Sequence, residues 1–167
     1  RWQSVFAEEI AAAVEQWQAK SGMGILLDPH TGAILAMVDH DPGRPINNRT
    51  LKNRLVSDVF EPGSTFKLVP FAAAIGDGAV RLNQHFDGGY GQGTFSGNVI
   101  HDDKKHGLIS AAEAFVVSSN VVTGRIANRL DRGRLDFWAR RFGFGDKTGV
   151  DLPGESGGRI AQQKHSE

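Results

Sequence analysis

Glycine constrains the fold of this chain more than any other residue type. It supplies 21 of the 167 residues, against a usual share of roughly 7%. Glycine adopts backbone conformations that other residues avoid, and it weakens the interior of helices and strands. Many turns and long loops are therefore expected around a modest set of regular elements. Residues 81–107, where glycine and polar residues are dense, are predicted to be mostly loop with short strands.

The composition excludes several classes of function. The 19 Lys and Arg residues balance the 19 Asp and Glu residues, so the sequence offers no basic face for nucleic acid. Cysteine is absent, which excludes disulfides, thiolate metal sites and a cysteine nucleophile. His101 and His106 are close in sequence, but two histidines do not define a zinc site. We predict neither a metal nor a cofactor.

The length of the chain is that of one ordinary domain. The longest apolar run, Leu68–Ile75, contains Pro70 and is far shorter than the about 20 residues of a membrane span. No signal-peptide pattern is present. Because the chain opens at Arg1 and closes in a polar tail over residues 162–167, we interpret both ends as cuts through a larger protein.

Apolar spacing predicts the first elements. Two apolar runs, over residues 25–27 and 33–38, flank a Pro- and Gly-containing turn at Asp28–Gly32 and predict a β-hairpin. Before them, five apolar residues recur every three or four positions and predict a helix with one packed face, stopped at Gly22. Those five are Trp2, Phe6, Ile10, Val14 and Trp17.

Helical patterns also dominate the rest of the chain outside residues 81–107. Glu61-Pro62-Gly63 is predicted to deliver the chain to a helix whose buried face is Leu68, Phe71, Ala72 and Ile75. Ser110 and Glu113 form a capping-box pattern that predicts a short helix start. Two further helices are predicted, over residues 121–130 and around Leu135, Trp138 and Phe142.

Ser64 and Lys67 are candidate catalytic residues. Residues three apart lie on one face of a helix, so an amine is expected beside the Ser64 hydroxyl. A serine hydroxyl needs a base to become a nucleophile, and a lysine can be that base if burial or a nearby charge lowers its pKa. With 10 serines and 7 lysines in the chain, however, the spacing alone also fits an exposed helical pair.

Ser118-Ser119-Asn120 is the second candidate motif. Between two helices, a Ser-x-Asn sequence can present a hydroxyl and an amide to a cleft; equally, Ser and Asn are common helix N-caps. Ser96-Gly97-Asn98 has the same letters, but it lies in the Gly-rich region with no helix to fix it, so a turn is predicted there.

The wider context of both motifs resembles class B penicillin-binding proteins, members of the β-lactamase and transpeptidase superfamily. Ser-x-x-Lys, Ser-Asp-Asn and Lys-Thr-Gly are the signature set of penicillin-binding proteins and class A β-lactamases. The resemblance covers nearly the whole chain, in the family's order. Its blocks are residues 58–67, the second motif at 118–121, Phe142–Gly145, Thr148–Glu155, the hairpin and the Asn48-Arg49-Thr50 loop.

The resemblance implies an α/β (α+β) fold in which helices pack on both faces of an antiparallel sheet. Residues 1–167 would be the N-terminal and central part of one transpeptidase domain, with the C-terminal strands beyond Glu167. The implied location is the periplasmic side of the inner membrane, with an N-terminal membrane anchor that this chain does not include.

The implied activity is that of a serine-type peptidoglycan D,D-transpeptidase. By the family's motifs, Ser64 is the nucleophile, Lys67 the general base, Ser118 a proton relay and Asn120 the residue that binds substrate and steadies Lys67. The serine attacks a D-Ala-D-Ala stem peptide, and β-lactams mimic that substrate. The implied partners are stem peptides, β-lactam antibiotics and proteins of a division or elongation complex; Ser118–Val121 favours division by resemblance.

Two alternatives stay open. A β-lactamase-like hydrolase would need a residue that activates water; in class A relatives this is a glutamate after the second motif, and the only glutamates after Asn120 are Glu155 and Glu167. The chain could also be a non-catalytic scaffold piece of a wall-synthesis complex.

Lys147-Thr148-Gly149 matches the third motif by letter, but the glycines and Pro153 around it disfavour a strand. We therefore expect the true third motif beyond Glu167, and this chain alone to be catalytically incomplete.

Overall fold

The structure, a computed structural model, describes residues 1–44, 52–131 and 133–160. The chain divides into two compact units. The first unit comprises Arg1–Val59 with Gly149–Ser156, and the second comprises Phe60–Thr148 with Gly157–Glu167. Both contain helices and antiparallel strand pairs, which confirms the predicted α+β class.

The first unit is built on the predicted hairpin, which the structure confirms. Gly22 pairs with His40, and the register shifts by one residue near Leu27. The turn closes through Asp28, whose side chain accepts a hydrogen bond from the His30 amide at 2.8 Å. The elements of this unit are α1 (Trp2–Gln16), β1 (Gly22–Leu27), β2 (Ile34–His40) and α2 (Arg54–Ser57).

Helix α1 packs closely on β1 because two glycines of that strand leave room for it. A Cβ atom at Gly24 would lie 2.5 Å from the Phe6 ring, and one at Gly22 would lie 2.7 Å from Val14. At its N-terminal end, the Gln3 side chain exchanges two hydrogen bonds with the Met37 backbone of β2, at 2.8 and 2.9 Å.

The prediction of helix α1 is confirmed, but the predicted packing of its two tryptophans and its predicted end are wrong. Trp2 and Trp17 are 63% and 75% exposed; they lie beyond the two ends of the stretch that contains Phe6, Ile10 and Val14, the residues next to Gly22 and Gly24 of β1. The helix ends at Gln16, well before the predicted stop at Gly22, and Gln18 then turns the chain with a φ of 49°.

The second unit contains the remaining elements. Its core consists of eight buried residues: Phe71, Ala74, Val80, Phe86, Ala111, Ala114, Val122 and Ile126. In chain order the elements are a 3-10 turn (Gly63–Lys67), α3 (Leu68–Gly76), β3 (His85–Asp87), a second 3-10 turn (Gly89–Gly91), β4 (Gln92–Phe95), β5 (Asn98–His101), β6 (Leu108–Ser110), α4 (Ala111–Val116), α5 (Asn120–Ala127) and α6 (Arg134–Arg141).

The buried face predicted for α3 is confirmed at Phe71 and wrong at Leu68 and Ile75. Leu68 and Ile75 are 48% and 40% exposed. Every residue from Leu68 to Ile75 is apolar, so periodicity cannot select a face. Helix α3 packs against α5 and α6, and these neighbours decide which of its residues are buried. The buried residues are Val69, Pro70, Phe71, Ala73 and Ala74.

The Gly-rich region is loop with short strands, as predicted. Strands β4 and β5 pair antiparallel, with Phe95 opposite Asn98. Between them Ser96 and Gly97 have φ angles of 49° and 80°, as a type I′ hairpin turn requires. The turn predicted at Ser96-Gly97-Asn98 is therefore confirmed, and β3 pairs with β6 across the same region.

The helices after the Gly-rich region also follow the prediction. The capping box of α4 is present, since the Glu113 amide donates to Ser110 Oγ at 3.2 Å and the Ser110 amide donates to Glu113 Oε2 at 2.8 Å. Helix α5 begins at Asn120, one residue before its predicted start, and ends at Ala127, three residues before its predicted end. Helix α6 ends at Arg141, before Gly143 and Gly145.

Two other predictions concern loops. Residues 147–149 have no strand structure, in agreement with the interpretation of Lys147-Thr148-Gly149 as a mismatch to the third motif. The Asn48-Arg49-Thr50 loop and the polar tail lie outside the described residues. In the ranges that the structure covers, no helix combines the length and apolar character needed to cross a bilayer.

Candidate active site

Ser64 lies in the 3-10 turn Gly63–Lys67, hereafter the nucleophile turn. Gly63 enters it with a φ of 60°, a conformation that glycine adopts without steric cost. The Thr65 hydroxyl donates to the Pro62 carbonyl at 2.6 Å and fixes the entry. Ser64 itself is exposed. In a 3-10 helix residues three apart are eclipsed, so Ser64 and Lys67 lie on the same face.

The nucleophile turn runs directly into α3. Lys67 and Leu68 both have right-handed helical φ and ψ angles, so the backbone is continuous from Gly63 to Gly76. Ser64 therefore lies at the positive end of a helical segment, where backbone amides lack intrahelical acceptors. Such amides can stabilise negative charge on an oxygen that develops next to the serine.

Lys67 makes the contact that joins the two motifs. Its Nζ donates to Ser118 Oγ at 2.8 Å and also to the Ser118 carbonyl oxygen. These two bonds span 51 residues of sequence. Among the described residues, Nζ makes no hydrogen bond to Ser64. The sequence pairs the Lys67 amine with Ser64, whereas in the structure this amine donates to Ser118.

Burial lowers the pKa of the Lys67 amine below its ordinary value, while the nearby carboxylates of Asp102 and Asp103 act in the opposite direction and raise it. Lys67 is half-buried, and loss of hydration disfavours the charged ammonium. Among the described residues no cation contributes to this lowering of the pKa.

Ser118 has a strained backbone at the junction of α4 and α5. Its φ is 57°, and a non-glycine residue in this left-handed region costs on the order of 1–3 kcal/mol. Two backbone hydrogen bonds stabilise this conformation. The Ser118 amide donates to the Phe115 carbonyl at 3.1 Å, and the Ser119 amide donates to the Ala114 carbonyl at 2.9 Å. We call Ser118–Asn120 the motif junction.

Asn120, the first residue of α5, is tied to strand β5. Its Nδ2 donates to the His101 carbonyl at 2.7 Å, and no described donor reaches its Oδ1. The side chain is half-buried. The amide is thus oriented by a strand end and retains an oxygen that can accept a hydrogen bond from a substrate amide. A direct bond to Lys67, which the family resemblance implied, is not present among the described residues.

Asp102 is the site residue that sequence reasoning missed. Its Oδ2 accepts from the Ser119 hydroxyl at 2.7 Å, and its Oδ1 accepts from the backbone amides of Asn120 and Val121. Ser119 is almost fully buried, at 1% exposure, and caps α5 by accepting from the Val122 amide at 3.0 Å. An aspartate in a Gly-rich loop has no local pattern that predicts a contact 17 residues away.

The other sequence candidates are not part of this arrangement. Ser96 lies in the β4–β5 turn, and His101 contributes its carbonyl oxygen to Asn120. In the part of the chain that the structure covers, no group of three or more His, Asp or Glu side chains could hold a metal ion. Lys147 lies in the irregular segment after α6.

The geometry suits proton transfer. A neutral amine has two N–H groups and one lone pair, and the two oxygens of Ser118 are acceptors for two N–H groups. The lone pair then remains for a proton from a hydroxyl on the same face of the nucleophile turn, which is that of Ser64. Ser118 Oγ, bonded to the same amine, can carry the proton onward.

Comparison with known proteins finds a family and several relatives that this chain resembles. Residues 22–167 match the sequence pattern of the family described as the penicillin binding protein transpeptidase domain. The chain is 30% identical over 166 residues to the probable peptidoglycan D,D-transpeptidase PbpC of Pseudomonas aeruginosa, covering 96% of this chain and 29% of that protein. It is 31% identical over 170 residues to the peptidoglycan D,D-transpeptidase FtsI of Escherichia coli, covering 98% and 28%.

Solved structures are similar in fold. A peptidoglycan glycosyltransferase from Burkholderia ambifaria superposes with a TM-score of 0.83 at 30% identity, over 96% of this chain and 48% of that one. Penicillin binding protein 3 from Mycobacterium tuberculosis gives a TM-score of 0.82 at 32% identity, over 96% and 37%. The chain thus spans less than a third of these two curated relatives and less than half of these two solved chains.

Proposed function

This chain belongs to the family of penicillin-binding protein transpeptidase domains, and from that premise we propose that the full-length protein is a serine-type D,D-transpeptidase of peptidoglycan synthesis. The observation that carries the proposal is the hydrogen bond between Lys67 and Ser118, which joins the first and second motifs across 51 residues. A pair of surface residues that matched the motifs by chance would have no reason to meet.

The proposed acylation step uses the three motif side chains in sequence. Ser64 Oγ attacks the carbonyl carbon of the penultimate D-alanine, and its proton passes to the neutral Lys67 amine. The tetrahedral oxyanion lies near the free amides at the start of the nucleophile turn. Its C–N bond breaks, and the leaving D-alanine nitrogen takes a proton through the Ser118 hydroxyl. The product is an ester on Ser64 and free D-alanine.

In the second step an amine of a neighbouring stem peptide attacks that ester. A C–N bond forms, the ester C–O bond to Ser64 breaks, and the proton that the amine loses passes to the Ser64 oxygen, which completes the cross-link. Penicillin would enter by the first step, since opening its ring leaves an ester on Ser64. Asn120 would hold the substrate backbone through its free Oδ1. The proposed location is the periplasmic side of the inner membrane, with proteins of a division or elongation complex as partners.

For the hydrolase alternative, Glu155 is the one described glutamate that follows Asn120, and its carboxylate accepts a hydrogen bond from the Gly149 amide at 3.2 Å. Glu167 lies outside the described residues.

The test uses the full-length protein with a stem peptide that ends in D-Ala-D-Ala and an amine-bearing acceptor peptide. We expect release of D-alanine with formation of the cross-linked peptide, and loss of both with Ser64→Ala. Rapid turnover of penicillin without cross-linking would instead identify a hydrolase. A folded protein that releases no D-alanine and binds no penicillin would be a scaffold, and the proposal would be wrong.

A further inference from the structure

The motif junction has to be held in place, because its own sequence does not favour the conformation it adopts. Ser118 is strained at a φ of 57°, and it is exposed, so few packing contacts restrain its side chain. The chain continues from Ser118 through Ser119 into the first turn of α5, a helix of only eight residues. The position of Ser118 therefore depends on how firmly the start of α5 is anchored.

Asp102 provides that anchor from outside the motif. One carboxylate oxygen accepts the Ser119 hydroxyl at 2.7 Å, and the other accepts the amides of Asn120 and Val121. The three donors belong to three consecutive residues at the start of α5, where the helix dipole favours a negative charge. Ser119 also accepts from the Val122 amide, so one carboxylate orders the whole first turn.

The loop that carries Asp102 is itself fixed. The Asp102 amide donates to the Gly91 carbonyl at 3.0 Å. Gly91 is buried with a φ of 84°, and a Cβ there would lie 3.1 Å from the Lys104 carbonyl oxygen. The preceding residue, His101, holds the Asn120 side chain at 2.7 Å. Two adjacent residues at the end of β5 thus bind the backbone and the side chain of the motif junction.

We propose that Asp102 is a positioning residue for the acylation of Ser64: its carboxylate fixes the start of α5 so that the Ser118 hydroxyl faces the Lys67 amine. This inference rests on the proposed function and extends it to a residue outside the three motif positions. Asp102 touches neither the substrate nor the reacting atoms; it acts through Ser119 and the backbone of Asn120 and Val121.

The charge of Asp102 allows the inference to be tested, because the two effects of this carboxylate change the acylation rate in opposite directions. As a charge, Asp102 raises the pKa of Lys67 and so reduces the fraction of neutral amine. If charge were its only influence, removing it would speed acylation. If Asp102 positions the motif junction, removing it slows acylation despite the gain in neutral amine. The sign of the change therefore separates the two roles.

Asp103 offers a matched control. It is the neighbouring residue, it is exposed, and it also raises the pKa of Lys67 by its charge. Among the described residues it makes no hydrogen bond to the motif junction. Asp103→Ala therefore removes a similar charge and leaves the anchor of α5 intact.

The experiment measures the rate of acylation by a fluorescent penicillin in the full-length protein, at several pH values below the ordinary lysine pKa of about 10.4. We expect Asp102→Ala to slow acylation by roughly 100-fold, the size of effect that a 1 Å misplacement can have, and Asp103→Ala to leave it unchanged or slightly faster. Asp102→Asn keeps an oxygen for the two amides but leaves the Ser119 hydroxyl without its acceptor, so a fall of roughly 10-fold is expected.

Hydrogen exchange of the amides in residues 119–122 gives a readout that needs no activity. We expect Asp102→Ala to speed their exchange roughly tenfold and Asp103→Ala to leave it unchanged. Unchanged exchange with Asp102→Ala, equal slowing of acylation by both alanine variants, or faster acylation by Asp102→Ala would each overturn the inference. If the wild-type protein is not acylated at all, the proposed function fails, while the exchange measurement still decides the role of Asp102.

Discussion

The nucleophile turn and the motif junction are positioned in different ways. The nucleophile turn is local: Gly63 turns the chain, Thr65 bonds to Pro62, and α3 begins at once. The motif junction depends on residues 17 and 19 positions away, since Asp102 and His101 hold it. A serine motif at a helix start can thus be built by its own sequence, whereas its partner motif depends on the tertiary fold.

The largest effect should come from Lys67→Arg, because Lys67 belongs to both regions. Arginine can still donate to the oxygens of Ser118, but it cannot give up its proton at ordinary pH. A lost general base is worth about 100- to 10,000-fold, so we expect acylation by a fluorescent penicillin to fall within that range while thermal unfolding stays similar. Acylation near the original rate would mean that Lys67 only links the two regions.

The pH dependence of acylation tests the same side chain. The charged form cannot accept a proton, so the rate should rise with pH as the Lys67 amine becomes neutral. Because burial lowers the pKa of Lys67, the midpoint of the rise should lie below the ordinary lysine value of about 10.4. The rise should disappear in Lys67→Arg; if it persists there, another group titrates.

Asn120→Ala should have the next largest effect. It removes the bond to the His101 carbonyl and the amide proposed to bind substrate, so a fall in the acylation rate of about 100-fold is expected, comparable to the loss of one oxyanion donor. Asn98→Ala is the control, because Asn98 ends the motif-like Ser96-Gly97-Asn98 in the β4–β5 turn. If the Asn120→Ala variant has a lower melting temperature but is acylated at the normal rate, the role of Asn120 is structural only.

Ser119→Ala and Ser110→Ala compare a cap held by tertiary contacts with a local one. Ser110 exchanges bonds with Glu113 of its own helix, whereas Ser119 also donates to Asp102 and is fully buried. Loss of a cap costs about 1 kcal/mol, and Ser119→Ala also removes the hydroxyl that donates to Asp102, which adds to that loss. Thermal unfolding should show the larger loss for Ser119→Ala, and only that variant should acylate more slowly.

The smallest effect is expected from Lys147→Ala. Residues 147–149 match a catalytic motif by letter, yet they lie in an irregular segment. Acylation and thermal stability of the full-length protein should both stay within about twofold of the wild type, the range usual for surface positions. Loss of labelling in a folded Lys147→Ala variant would show that this segment is the third motif after all.

The parts of the structure that were predictable are those encoded over a few residues. The hairpin, the capping box at Ser110 and the turn at Ser96-Gly97 each depend on local spacing and turn chemistry, and each is confirmed. The buried face of α3 could not be predicted, since an all-apolar helix takes its orientation from its neighbours. Asp102 was missed for the same reason, because its three donors come together only in the fold.

The candidate site shows the same limit. Ser64, Lys67, Ser118 and Asn120 were predicted as site residues from their motifs, but the motif spacing pairs Lys67 with Ser64, whereas the structure bonds it to Ser118. Sequence spacing reports which residues share a face, and it carries no information on a partner 51 residues away. The identity of the acylated serine thus has to be measured.

That measurement tests the account most directly, since the account assigns acylation to Ser64 although the Lys67 amine is hydrogen-bonded to Ser118. The full-length protein is reacted with penicillin, digested, and the modified peptide is sequenced by mass spectrometry. The account predicts a single adduct, on Ser64, that is absent from Ser64→Ala and present in Ser118→Ala at a reduced rate. An adduct on Ser118, or labelling that survives Ser64→Ala, would contradict it.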